Sequence, residues 1–155
     1  MTRGFEIVDE KFIKVPDIET ELPLHGSQNS AGYDIRSKEE VELYPGEKHK
    51  FNTDIKAYML SNEFLAIVVR SSIGMVKGLR ITNQFGVIDS DYYDNEDTGG
   101  NISVELQNTT QFPVKINIGD RIAQGIFMNW LKADEGTFEK KEKYKRTGGI
   151  GHTGE

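Results

Sequence analysis

NISVELQN, residues 101–108, alternates without interruption: Ile102, Val104 and Leu106 fall on one face, Ser103, Glu105 and Gln107 on the other. A period of two belongs to a β-strand with one buried face, because successive side chains leave opposite sides of a sheet. The pattern extends outward from this stretch. Val114, Ile116 and Ile118 repeat it before a turn at Gly119-Asp120, and residues 122–128 read as a further strand. Upstream, EVELYPGEKHKFNT (residues 40–53) sets Val41, Leu43 and Phe51 around Pro45-Gly46, a turn pair that predicts a hairpin. FLAIVV (residues 64–69) is apolar throughout, as a strand covered on both faces would be. Only residues 72–79 predict a short helix. Many short strands, sixteen glycines and no long amphipathic helix give an all-β chain, a jelly-roll-like antiparallel sandwich.

The 155 residues suffice for one domain with its own core. Cysteine is absent, which fits a reducing compartment and excludes disulfides and thiolate metal sites. The opening MTRGFEIVDEKFIKV has no signal-peptide core, and the longest apolar run is far too short to cross a bilayer. The expectation is a soluble, cytoplasmic protein with no membrane contact. Twenty-five acidic against nineteen basic side chains, a net charge of −6, argue against direct nucleic-acid binding, so any phosphate chemistry is local. TFEKKEKYK (residues 137–145) is charged and RTGGIGHTGE (residues 146–155) is dense in glycine. We therefore expect a β domain over residues 1–136 and a flexible arm over residues 137–155. A plain disordered terminus is the alternative to an arm that wraps phosphates in serial glycine amides.

Five segments carry a resemblance: AGYDIRS (31–37), RSSIGMVKG (70–78), NQFGVIDSDYY (83–93), GDRIAQ (119–124) and RTGGIGHTG (146–154). Each alone is a weak motif, but together and in this order they resemble the five motifs of the trimeric deoxyuridine triphosphate nucleotidohydrolases, the dUTPases. The resemblance implies a Mg²⁺-dependent hydrolysis of dUTP to dUMP and pyrophosphate, which keeps uracil out of DNA and supplies dUMP for thymidylate synthesis. It also implies a homotrimer with three shared sites. AGYDI, RSSIG and GDRIAQ come from one subunit, the GVIDSDY hairpin from a second, and the tail arm from a third.

The residue chemistry agrees with that assignment position by position. Asp89, at a strand end after Val87-Ile88, matches the general base, a carboxylate that takes a proton from a water in line with phosphorus. Its plain alternative is a turn aspartate bonding its own backbone. Tyr92 takes the place under the deoxyribose, where a ribose hydroxyl would clash, and Asn83, Gly86, Val87 and Ile88 line the implied uracil pocket. A half-buried strand aromatic is the alternative for Tyr92. Asp34 corresponds to the aspartate that holds Mg²⁺ through water, or else forms a turn beside Gly32. Arg70, Ser71 and Ser72 offer a guanidinium and two hydroxyls to phosphate, and Gly74 allows close approach of backbone amides. Ser71 or Ser72 could instead cap the short helix. By the same resemblance Gln124 is expected to donate an amide to the α-phosphate, whereas Asp120 and Arg121 read as scaffold that pairs near a subunit contact.

The departures from the family pattern are local. In the last motif only Thr147 separates Arg146 from Gly148-Gly149, one residue fewer than usual, so Arg146 or Lys145 is the γ-phosphate ligand. Arg146 is preferred for its planar fork. Gly149, His152 and Thr153 follow as substrate contacts. Ile150 stands where an aromatic would stack on uracil, and Tyr93 is the candidate replacement. Residues 93–101 form a loop about six residues longer than in ordinary relatives. Its Asp94, Glu96 and Asp97 read as a solvated tip with turn-forming Asn95 and Gly99-Gly100, or as a second metal site or a surface for a protein regulator. Glu105 in SVEL resembles the proton shuttle of dCTP deaminases, which share the fold, so deamination is the rival chemistry. A regulator-binding module is the reading from outside enzymology.

Overall fold

The computed structural model of the protein describes residues 1–134. In chain order the strands are β1 (Gly4–Ile7), β2 (Leu24–His25), β3 (Tyr33–Arg36), β4 (Val41–Leu43), β5 (Lys48–Asn52), β6 (Ile55–Tyr58), β7 (Glu63–Val68), β8 (Leu79–Ile81), β9 (Gly86–Asp89), β10 (Ser103–Asn108), β11 (Val114–Ile116) and β12 (Arg121–Asn129). Single turns of 3-10 helix sit at Glu10–Phe12 and Ser90–Tyr92, and a π-turn at Ser72–Val76. The sheets are antiparallel: five strands in the order β2-β3-β12-β7-β9, three in the order β5-β10-β8, and the pairs β1-β6 and β11-β4. This is the all-β, jelly-roll-like architecture expected from the alternation.

The apolar faces meet in one core. Ile102, Val104 and Leu106 are all at most 1% exposed, as their spacing requires, and pack with Phe51, Leu65, Ile116 and Ile122. β7, apolar on both faces, is the strand flanked on both edges, by β12 and β9. Removing such strands from water is the main favourable contribution to folding.

Three sequence expectations change. The Pro45-Gly46 turn forms, with Gly46 at φ +81° and the Glu47 amide donating to the Tyr44 carbonyl at 3.0 Å. Its arms do not pair with each other, because β4 joins β11 and β5 joins β10. The fully buried Asn108 occupies the fork and donates its side-chain amide to the Leu43 and Phe112 carbonyls at 2.8 and 2.7 Å. Ile118 is 51% exposed, since the chain turns at residues 117–120 before the alternation can return it to the core. The helix expected over residues 72–79 is only Ser72–Val76, ended by Gly78 at φ +66°, a conformation that suits glycine.

Asp54 ties the N-terminal segment to this frame. Its backbone is left-handed, φ +57°, and its carboxylate is fully buried. Oδ1 accepts from the Lys14 amide at 2.8 Å and Asn101 Nδ2 at 2.9 Å, while Oδ2 accepts from the Val15 amide at 3.0 Å and Lys38 Nζ at 2.6 Å. Burial pushes the Asp54 carboxyl up, but these donors, Lys38 first, outweigh it and hold the group below the usual carboxylate value. A carboxyl lowered in the folded state contributes stability above its unfolded pKa of about 4 and loses it as pH falls through the folded value. Acid should therefore weaken this contact in that window. Asp54→Ala leaves the buried Lys38 ammonium with the Thr20 hydroxyl but no counter-charge, and urea unfolding should show a loss of about 3–5 kcal/mol.

Candidate active site

β9 is the outer strand of the five-stranded sheet, and beside it opens a cavity of ≈ 350 Å³ toward β8 and β10. Asn83, Gly86, Val87, Ile88, Asp89 and Tyr92, read from the sequence as the base, sugar and catalytic positions, all line it. Gly86 lets β9 approach β7 closely: a Cβ there would lie 3.0 Å from that of Ile67. Asp89 ends β9 at the cavity edge and is exposed. It occupies the cap position of the Ser90–Tyr92 turn without a side-chain capping bond. The Tyr92 hydroxyl lies 3.1 Å from the Asn101 carbonyl and 3.0 Å from Thr98 Oγ1. Lys50, Ser103 and Glu105 complete the opposite wall, so Glu105 faces the cavity rather than open solvent.

A second group forms at the other end of β7. Gln124 lies across from Asp34 on one side and from Val68 on the other. Arg70 Nη1 donates to Asp34 Oδ2 at 2.7 Å, and Arg121 Nη1 lies 3.4 Å from the same oxygen. A Cβ at Gly32 would collide with the Gln124 side chain, so this glycine makes room for it. Ser71 and Ser72 are exposed at the start of the π-turn and make no capping bond, which leaves helix capping without support. Gly74 is half-buried in that turn, its amide bonded to the Arg70 carbonyl at 2.9 Å.

Arg121 was missed as part of this group. Strict alternation puts Arg121 and Gln124 on opposite faces, but a bulge between Arg121 and Ala123 shifts the register by one residue and returns Arg121 to the side of Asp34. A doubled register is invisible to residue spacing, and only the GDR motif hinted at it. Asp120 does not pair with Arg121. It accepts from the Asn117 amide and from Lys77 Nζ, each at 3.1 Å.

Among the described residues no three carboxylates or histidines converge into a metal cage. Asp34 instead stands beside two guanidinium groups. One carboxylate in such a setting fits a Mg²⁺ that arrives on phosphates and keeps its own waters, not a resident ion.

The two groups are separated by β7. Asp89 pairs with Phe64 and Gln124 with Val68, four residues further, which is about 13 Å along a strand. Arg146, Gly149, Ile150, His152 and Thr153, with Lys145, lie outside the described residues.

Tyr93 does not join the cavity, against the expectation that it stacks on the base. The chain turns after Tyr92, so the next ring faces β1 and β6: its hydroxyl donates to Glu6 Oε2 at 2.6 Å and Lys56 Nζ lies 4.9 Å from its centroid. The loop beyond it is not a simple solvated tip. Asp94, Glu96 and Asp97 are exposed, with Asp94 paired to the buried Lys56, but Asn95, Gly99 and Gly100 are buried. Gly99, at φ +63°, presses against the Phe12 ring with no space for a Cβ. The Glu6 bond, reinforced by burial, pushes the Tyr93 phenol up to about 12. Subtracting a Tyr93→Phe titration, followed by phenolate absorbance, from that of the unaltered protein should isolate one ionisation near that pH.

Known proteins resemble this chain in sequence and fold. The family model described as dUTPase matches residues 19–154. The chain is 43% identical over 152 residues to the deoxyuridine 5'-triphosphate nucleotidohydrolase of Lactococcus lactis subsp. lactis (strain IL1403), covering 98% of this chain and 97% of that one. It is 36% identical over 153 residues to the protein of the same name from Histophilus somni (strain 2336), covering 95% and 97%. The crystal structure of dUTPase from Streptococcus mutans superposes with a TM-score of 0.73 at 37% identity, over 84% of this chain and 98% of that one. With four of its motifs at the two ends of one strand, and with the family model matching residues 19–154 and the Lactococcus lactis relative covering 98% of its length, the chain belongs to the dUTPase family.

Proposed function

We propose that the dUTP hydrolysis of this family proceeds here by in-line attack of a water on the α-phosphorus, with Asp89 as general base, in a site completed by other copies of the chain. The reaction yields dUMP and pyrophosphate, and so keeps uracil out of DNA while supplying the thymidylate precursor. The observation that carries the reading is the separation across β7. Asp89 and the Arg70–Gln124 group must meet the same phosphorus, yet within one chain they stand about 13 Å apart along the strand. A neighbouring copy that brings its Arg70 and Gln124 to this Asp89 removes the conflict, which supports a homotrimer with three shared sites.

Each half then has a task. β9, as an outer strand, has one row of backbone donors and acceptors not used in its sheet, and these match the fixed pattern of uracil. Cytosine inverts part of that pattern and would leave a buried group unpaired. Tyr92 lies beneath the deoxyribose. Asp89 takes the proton of the water, while Arg70, Ser71, Ser72 and Gln124 hold the phosphate oxygens and stabilise the charge that develops on them, and Gly74, whose amide is taken by the Arg70 carbonyl, contributes close approach instead of a donor. Asp34 would hold a Mg²⁺ through water, and the ion, when bound with the triphosphate, would supply positive charge for the leaving pyrophosphate. Residues 137–155 act as the arm of a third subunit, with Arg146 on the γ-phosphate and Ile150 over the base, and residues 1–136 as the β domain. Among the described residues no helix is long and apolar enough to cross a membrane, and we assign the enzyme to the cytoplasm.

Glu105 in the wall of the same cavity favours one second reading, deamination of dCTP. A panel of dUTP, UTP, dCTP and dTTP with Mg²⁺, scored for pyrophosphate and for the nucleoside product, separates the two. Conversion of dUTP alone to dUMP is expected; ammonia release from dCTP would overturn the assignment. Asp89→Asn should lower kcat by about a hundredfold to ten-thousandfold with little change in KM, since a general base acts mainly in the transition state.

A further inference from the structure

The phenol of Tyr92 is held by the loop that lengthens this chain. Thr98 Oγ1 lies 3.0 Å from the Tyr92 hydroxyl and 3.2 Å from Asn95 Oδ1, and the Tyr92 hydroxyl lies 3.1 Å from the Asn101 carbonyl. Two hydroxyl protons serve these three contacts, so Thr98 can give its proton to the phenol oxygen or to Asn95 Oδ1 while Tyr92 donates to Asn101, or Tyr92 can donate to Thr98 and Thr98 to Asn95. Asn95 Oδ1 already accepts from the Asp97 and Thr98 amides, so its two lone pairs are taken and the Thr98 proton goes to the phenol oxygen, with Tyr92 donating to Asn101.

Thr98 is itself fixed. Asn95 Oδ1 accepts from the Thr98 amide at 3.3 Å and the Asp97 amide at 3.1 Å, and the Gly99 amide donates to the Asn95 carbonyl at 2.7 Å. Gly99 is seated on Phe12 of the N-terminal turn. Asn101, the other anchor, is 8% exposed and bonds Asp54 Oδ1 at 2.9 Å and the Phe12 carbonyl at 3.1 Å. A ring held at its hydroxyl cannot swing aside to admit an extra oxygen on the sugar. A ring released there can.

We propose that Thr98 is a positioning residue for sugar selection: its hydroxyl fixes the Tyr92 phenol, and through it the loop of residues 94–100 sets how strongly the site rejects a ribonucleotide. The inference rests on the sugar role proposed above for Tyr92.

The experiment measures kcat/KM for dUTP and for UTP, with Mg²⁺, in the full chain. Thr98→Val keeps the shape of the side chain and removes the hydroxyl, and should lower the dUTP-to-UTP ratio by about fivefold, the scale of one net hydrogen bond. The change should appear mainly in the UTP constants. Thr98→Ser should restore the ratio, which a general loosening of the fold would not do. Tyr92→Phe removes the other partner, should reproduce the effect, and should add nothing in combination with Thr98→Val. If Thr98→Val retains the original ratio while Tyr92→Ala collapses it, the inference is overturned and the sugar role of Tyr92 stands. If Tyr92→Ala leaves the ratio unchanged, the sugar role falls and the inference falls with it.

Discussion

β7 is the constraint around which the rest of the molecule is arranged. Its Leu65, Ala66 and Ile67 are at most 3% exposed, and both of its edges are taken, by β9 and by β12. A strand covered on both faces and paired on both edges has no freedom to slide, because a one-residue slip would move every side chain to the wrong face. β7 therefore sets the level of Asp89 at one end and of Gln124 at the other. Its length separates the cavity beside β9 from the group of Asp34, Arg70 and Gln124, and the proposed function has that separation bridged from outside the chain.

The buried carboxylate of Asp54 plays a different part. An isolated ionised group in the interior is costly, and this one is tolerated because Lys38, two backbone amides and Asn101 satisfy it together. The donors come from the N-terminal segment, from the residues after β3 and from the loop just before β10. Asn101 then offers its own carbonyl to the Tyr92 hydroxyl. The contact that closes the N-terminal segment over the sandwich is thus one residue removed from Tyr92 in the cavity wall.

Much of this was legible from residue order. The alternation in residues 101–108 placed Ile102, Val104 and Leu106 in the core, and the apolar run in β7 announced a strand buried on both faces. The GVIDSDY stretch placed Asp89 and Tyr92 at one cavity because the motif is contiguous and a short strand and turn leave it little choice of shape. Other features depend on distant partners. The turn at Pro45-Gly46 resembles any hairpin turn, and only the side chain of Asn108, filling the fork from far along the chain, sends its arms to different strands. Arg121 was hidden by a bulge that breaks simple alternation. Tyr93 seemed available for stacking because it adjoins Tyr92, yet Glu6 and Lys56, more than thirty residues away in either case, draw its ring to the opposite side. The acids of the long loop looked like a solvated tip, whereas the buried Asn95 and the Gly99 contact with Phe12 fold that loop against the N-terminal turn.

The claim that the two ends of β7 serve different sites is tested most directly by mixing chains. Asp89→Asn and Arg70→Ala, each assembled alone, should be nearly inactive. Co-assembled in equal amounts, they should recover about one quarter of the original activity, one half times one half for random assembly, because some sites then combine an intact Arg70 from one copy with an intact Asp89 from another. A mixture as inactive as its two parents would contradict the account, because both groups of a working site would then have to come from a single chain.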